Sequence, residues 1–239
     1  MAKRITVALV TMLASMVIAF PVLGQPVSAP APTDPNARLT ELQNRSPATH
    51  TAADLDARLK QLENNPRQFE AMYKVGSKVG AFCANCHGEG GNSLKPDIPN
   101  LAGQNPSYLL EQMRQFSEGE RRNEFMQRLI RVLSLDEKIG MVIFYSKQEV
   151  THKPPSNDAL VSKGQAYYNK TCFRCHGDEG RGNEQIARIA GQQPDYLDVT
   201  LKRYREGSNI RNGPLMAANA RLMTDADIAA VVAYVSSMK

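Results

Sequence analysis

The chain has 239 residues, room for two small domains, and its 42% hydrophobic and 22% charged content is ordinary for a folded protein. A formal charge of +5 without any Lys/Arg block excludes a nucleic-acid footprint. Aromatic residues make up 6% and Trp is absent, which is thin for two cores and points to a filler other than side chains.

In chain order, Lys3 and Arg4 precede an apolar run from Ile5 to Leu23. A basic start, an apolar middle and Val22-Leu23-Gly24 as a cleavage site describe a secretory signal peptide over residues 1–24. An uncleaved anchor over residues 5–23 is the rival reading, because about 20 residues span a bilayer. Thr6, Thr11, Ser15 and Pro21 dilute the run and favour cleavage. Either way the folded part is exported.

Residues 25–65 begin as a Pro-rich tether, Gln25 to Pro35, and continue as one or two polar helices. Thr51 and Asp54 form a weak capping box for a short helix with Leu55, Leu59 and Leu62 on one stripe, and His50 reads as a surface residue.

From residue 66 the chain repeats. Cys83, Cys86 and His87 in AFCANCHGEGGNS recur as Cys172, Cys175 and His176 in TCFRCHGDEGRGN, and NLAGQNPSYL (100–109) recurs as RIAGQQPDYL (188–197). Two copies of one domain are implied, over residues 66–147 and 158–239, joined by a linker at 148–157 where Pro154-Pro155 forbids a continuous helix. Each copy signals helices. Asn65-Pro66 with Gln68 starts one expected to run up to Cys83, with a counterpart from Asp158 to Cys172. Asn105-Pro106 and Gln193-Pro194 start a second, and capping boxes at Ser134 and Thr224 start the last. Period-2 patterns are absent, so the fold class is all-α.

Three readings of Cys-x-x-Cys-His fail. A disulfide leaves the adjacent His unexplained, a redox pair lacks its βαβ context, and paired zinc knuckles lie about 12–20 residues apart rather than in separate repeats. Covalent haem c attachment uses all three residues: Cys83 and Cys86, and again Cys172 and Cys175, lie one helical turn apart to form thioethers, while His87 and His176 point at iron. The sixth ligand comes from a Met in each copy. Met72, Met113 and Met141 in the first copy and Met238 in the second read as core. Met126 and Met216 each precede the cap of the last helix on a connecting loop and are the expected ligands, with Met223 the rival for the second haem.

These motifs, in this order and spacing over roughly residues 66–239, resemble the two-domain, dihaem class I cytochromes c of the cytochrome c4 type. The resemblance implies two Met/His-ligated haems in a periplasmic electron carrier that is not itself an enzyme. It implies redox-protein partners, a membrane oxidase or reductase complex, with no small-molecule substrate and a membrane surface within reach. Similar dihaem modules also serve as the electron-accepting subunit of a periplasmic dehydrogenase acting on sulfide, alcohol or the like, which is the alternative reading. A dihaem peroxidase would need one iron able to open, and two loop methionines in matched settings argue against it. Family members often have Pro before the Leu-Ala-Gly element, its carbonyl holding the proximal His; Pro99 fits and Ala187 departs from it.

Overall fold

The computed structural model describes residues 52–152, 154, 158–208, 210–211 and 213–239. The signal segment, the Pro-rich tether, His50 and the Thr51 cap lie outside these residues. Among the described residues the chain is helical and has no strand, its one β-type contact being an isolated bridge between Arg121 and Arg211. No helix among them is long and apolar enough to cross a membrane. All of them belong to one compact unit.

The first half contains α1 (Ala52–Glu63), α2 (Pro66–His87), α3 (Pro106–Glu118), α4 (Glu124–Val132) and α5 (Leu135–Ser146). The second contains α6 (Asp158–Lys170), α7 (Phe173–His176), α8 (Pro194–Arg205), α9 (Pro214–Ala220) and α10 (Asp225–Ser237). Helix starts follow local chemistry. Asn65 Oδ1 accepts from the Gln68 N–H at 3.2 Å with Pro66 at the first helical position. Ser134 with Glu137, and Thr224 with Asp227, close reciprocal capping boxes on α5 and α10.

Two positions differ from the sequence expectation. Helix α2 does not end at Cys83 but carries the whole first Cys-x-x-Cys-His to its last residue, stopping at Gly88 with φ +76°. In the second half the helix breaks two residues before Cys172, and the motif continues on the single turn α7. The other difference is that Met126 and Met216 are not on loops. They are the third residues of α4 and α9, helices started by the Asn123 side chain, which accepts from the Met126 N–H, and by Pro214.

Each half has its own core. The first joins α1 to α5 through Leu62, Val79, Leu110, Ile130, Leu133, Ile139 and Tyr145; the second joins α6 to α10 through Tyr168, Leu197, Ile228, Val231 and Val235. The α1 stripe of Leu55, Leu59 and Leu62 is buried in the first core, as its spacing predicts. Helix α2 crosses α5, and α6 crosses α10, at near backbone contact. A Cβ added to Gly76 would lie 1.9 Å from the Gly140 carbonyl oxygen, and one added to Gly164 would lie 2.0 Å from that of Ala230.

The halves are held together by amides. Asn105 and Gln193 precede the prolines of α3 and α8 but do not cap their helices. Asn105 Nδ2 donates to the carbonyls of Arg181 (3.0 Å) and Ile186 (2.8 Å), and Gln193 Nε2 donates to Ser93 O and Asn100 Oδ1. The linker is pinned too: Thr151 N–H donates to Asn92 Oδ1 at 2.8 Å, and Val150 methyls sit against both Gly103 and Gly191.

Candidate functional site

Helical spacing of i, i+3 and i+4 puts Cys83, Cys86 and His87 on one side of the last turn of α2. Cys83 is buried, Cys86 and Cys172 are half-buried and Cys175 is exposed; none is in a disulfide. Burial pushes the Cys83 and Cys172 thiols up to about 11. Neither thiol is thereby activated as a nucleophile.

The two histidines are buried and set alike. His87 Nδ1 lies 2.9 Å from Pro99 O, and His176 Nδ1 lies 2.9 Å from Ala187 O. A carbonyl only accepts, so each Nδ1 carries the proton and each Nε2 keeps its lone pair for a metal. The exchange of Pro99 for Ala187 therefore leaves the hydrogen bond at the same length. Burial holds both imidazoles below their ordinary pKa, the carbonyl bonds opposing it.

The chain is folded tightly behind them. Gly91 O accepts from the N–H groups of Leu101 and Ala102, and Gly180 O accepts from those of Ile189 and Ala190. Gly91 and Gly180, at φ +82° and +66°, make these turns possible.

Met126 and Met216 are both half-buried on short helices before α5 and α10. Met113, Met141, Met223 and Met238 are buried core members instead. Met223, the rival for the second site, packs in the second core, and its carbonyl accepts from Arg205 Nη1 at 3.2 Å.

The polar groups left over suit an anionic, apolar-bodied cofactor. The Tyr145 hydroxyl is buried with Cys83 as its neighbour, and Arg188 Nε is buried without a hydrogen-bond partner. Arg121 and Arg211 converge on Tyr196 Oη at 3.0 Å each, and on Gln112 Oε1 at 2.8 and 3.2 Å. Arg211 also donates to Tyr108 Oη. No carboxylate pairs with either guanidinium among the described residues. Desolvation raises the pKa of the half-buried Tyr196 phenol, and the charges of Arg121 and Arg211 overcome it and hold the group below its ordinary range. Sequence reasoning did not single out Arg121, Arg211 or Tyr196. The available signal was the repeat of Tyr108 at Tyr196, which showed equivalence but not contact.

Comparisons with known proteins agree. Residues 161–239 match the family model "Cytochrome c". Cytochrome c4 of Thiocapsa roseopersicina is 35% identical over 68% of this chain and 90% of the relative. A thiosulfate dehydrogenase electron acceptor of Thiomonas intermedia (strain K12) is 31% identical over 70% and 83%. The crystal structure of reduced recombinant cytochrome c4 from Pseudomonas stutzeri superposes with a TM-score of 0.64 at 26% identity, covering 70% of this chain and 98% of that one.

Proposed function

This chain belongs to the cytochrome c4 family of dihaem class I cytochromes, and from that premise we propose an assignment of its residues and partners. It is an electron carrier with two covalently bound haem c groups, attached at the Cys-x-x-Cys-His positions. Residues 66–147 and 158–239 are the two haem domains. Cys83 and Cys86 would hold the first haem and Cys172 and Cys175 the second, with His87 and Met126, and His176 and Met216, as the residues that would bind iron. The observation that carries this is the duplicated histidine: buried, Nδ1–H held by a backbone carbonyl at 2.9 Å, beside a Cys pair, in both halves.

When bound, haem iron supplies one-electron chemistry, and the chain supplies orientation, burial and charge. Pro99 and Ala187 fix the imidazole tautomer and plane. Arg121 and Arg211 are the cationic partners that haem carboxylates require. With a His and a Met both engaged, a bound iron would keep no position for a substrate, which fits a carrier and not a peroxidase. Partners are therefore redox proteins, with a membrane oxidase or reductase complex preferred. The likeness to an electron acceptor of thiosulfate dehydrogenase favours a second reading, a carrier loaded by a periplasmic dehydrogenase. The apolar leader, residues 1–24, supports export to the periplasm.

Mass spectrometry of the exported protein tests the assignment. The mature chain plus two haems is expected, resistant to acid–acetone extraction. Cys172→Ser should weaken attachment of the second haem and spare the first. One haem per chain in the unaltered protein would refute it.

A further inference from the structure

The peptide unit joining Pro99 to Asn100 is engaged at both ends. Its carbonyl accepts from His87 Nδ1–H at 2.9 Å, and its N–H donates to Gln192 Oε1, from the other half, at 2.7 Å. The unit joining Ala187 to Arg188 repeats this in reverse. Its carbonyl accepts from His176 at 2.9 Å, and its N–H donates to Gln104 Oε1 at 2.7 Å. Each glutamine closes a two-point clasp on the residue it holds. Gln192 Nε2 donates to Asn100 O at 3.1 Å, and Gln104 Nε2 donates to Arg188 O at 2.9 Å. Each Oε1 also accepts from the next N–H in its own chain segment, that of Gln193 or Asn105, which fixes the amide orientation. Gln104 is 6% exposed and Gln192 8%, so water does not compete.

A peptide that donates through its N–H becomes a stronger acceptor at its carbonyl, because electron density shifts toward oxygen. In a low-dielectric interior such chains strengthen by about 10–30% per bond. The acceptor behind each proximal histidine is thus set by a side chain from the opposite half. We propose that Gln104 and Gln192 are positioning residues that act crosswise, Gln192 orienting and polarising the carbonyl that holds His87, and Gln104 the one that holds His176. The inference rests on the reading of both histidines as iron ligands. A stronger carbonyl acceptor gives the imidazole more anionic character and makes it a better donor, which favours the oxidised iron. Weakening the clasp therefore makes the haem of the other half easier to reduce.

The test uses the full-length dihaem protein with Gln104→Leu, Gln192→Leu and the acceptor-retaining Gln104→Glu and Gln192→Glu. Two signals are read in each: the midpoint of each haem and the Nδ1–H proton resonance of each histidine. Gln104→Leu should move the His176 resonance and raise the second haem's reduction equilibrium constant by about threefold, ~28 mV for a one-electron couple, leaving His87 and the first haem in place. Gln192→Leu should do the converse. Each Glu variant should shift the same opposite-half haem with the other sign, whereas mere loosening of the junction would give one sign for both substitutions. Equal movement of both halves, movement confined to the substituted half, or no movement would overturn the crosswise link. Absence of a hyperfine-shifted Nδ1–H in the oxidised unaltered protein would instead refute the ligand assignment beneath it.

Discussion

Met126 and Met216 occupy the same place in two helices of different make. Each is third from the N-terminus, behind an exposed Phe125 or Leu215 and ahead of the capping box that starts the last helix. Asn123 anchors one start and Gly213-Pro214 the other. A position reached by two unlike local solutions is held by something both halves share, and the proposed role of each thioether as an iron ligand would supply that reason. Met126→Ala and Met216→Ala should each lower the potential of one haem and remove half of the Met-to-ferric charge-transfer absorption in the red. Optical redox titration of the two variants checks this. Loss of the band in Met223→Ala instead would move the second ligand into what is now core. Residue chemistry of this kind was legible in the sequence wherever one short segment carries the meaning: both Cys-x-x-Cys-His motifs, and the carbonyl expected behind His87. Gln104 and Gln192 were visible only as a repeated Ala-Gly-Gln. Their partners lie in the other copy, and an internal repeat announces like surroundings without saying whose they are.

At the scale of elements, the starts of helices were easier to read than their ends. Pro66, Pro106 and Pro194 at first turns and the boxes at Ser134 and Thr224 act within four residues, and all start helices. The end of α2 depends on where the chain must turn to bring Pro99 behind His87, a tertiary matter that leaves only Gly88 as its trace. Helices α4 and α9 were read as loops because, at nine and seven residues, they are too short to be stable without the tertiary contacts that hold them. Helix α1 lies before the region shared with the repeat, yet its leucines are part of the first core, and Arg58 reaches Asp136 on α5 at 3.4 Å. Leu62, fully buried, has no room to be truncated without a void. Leu62→Ala should cost the first half about 2–5 kcal/mol, with little effect on the second. Denaturant titration followed at each haem separates the two, and equal losses would show that α1 stabilises both.

For the whole molecule, the two sites sit in unequal charge. In the first half Arg114 gathers Glu111, Glu118 and Glu120, while in the second Lys202 pairs with Asp198 and Arg205 with Asp225. Beside the clasp, Asn100 is fully hydrogen-bonded where its counterpart Arg188 buries an unpartnered Nε. Burial disfavours the Arg188 charge, and that charge lies near one proximal carbonyl and not the other. The protein should titrate in two one-electron steps rather than along one Nernst curve. A separation of about 59 mV already shifts the electron tenfold toward one haem. Spectroelectrochemistry resolves the steps, and a single curve would leave the direction of flow to the partners.

The amide clasp between Gln104 and Arg188, and between Gln192 and Asn100, has the form of an isologous contact: residue i meets j, and the copy of i meets the copy of j. This is how two identical subunits meet across a two-fold axis, here performed by one polypeptide. The linker through Val150 and Thr151 raises the local concentration of one half around the other, to about the millimolar range, and adds contacts of its own to both halves. A mutation on either face is consequently read twice, once by its own half and once by the copy that must still match it. The tandem chain has the contact pattern of a fused homodimer, in which the clasping Gln104 and Gln192 are alike while the residues they hold, Arg188 and Asn100, have diverged.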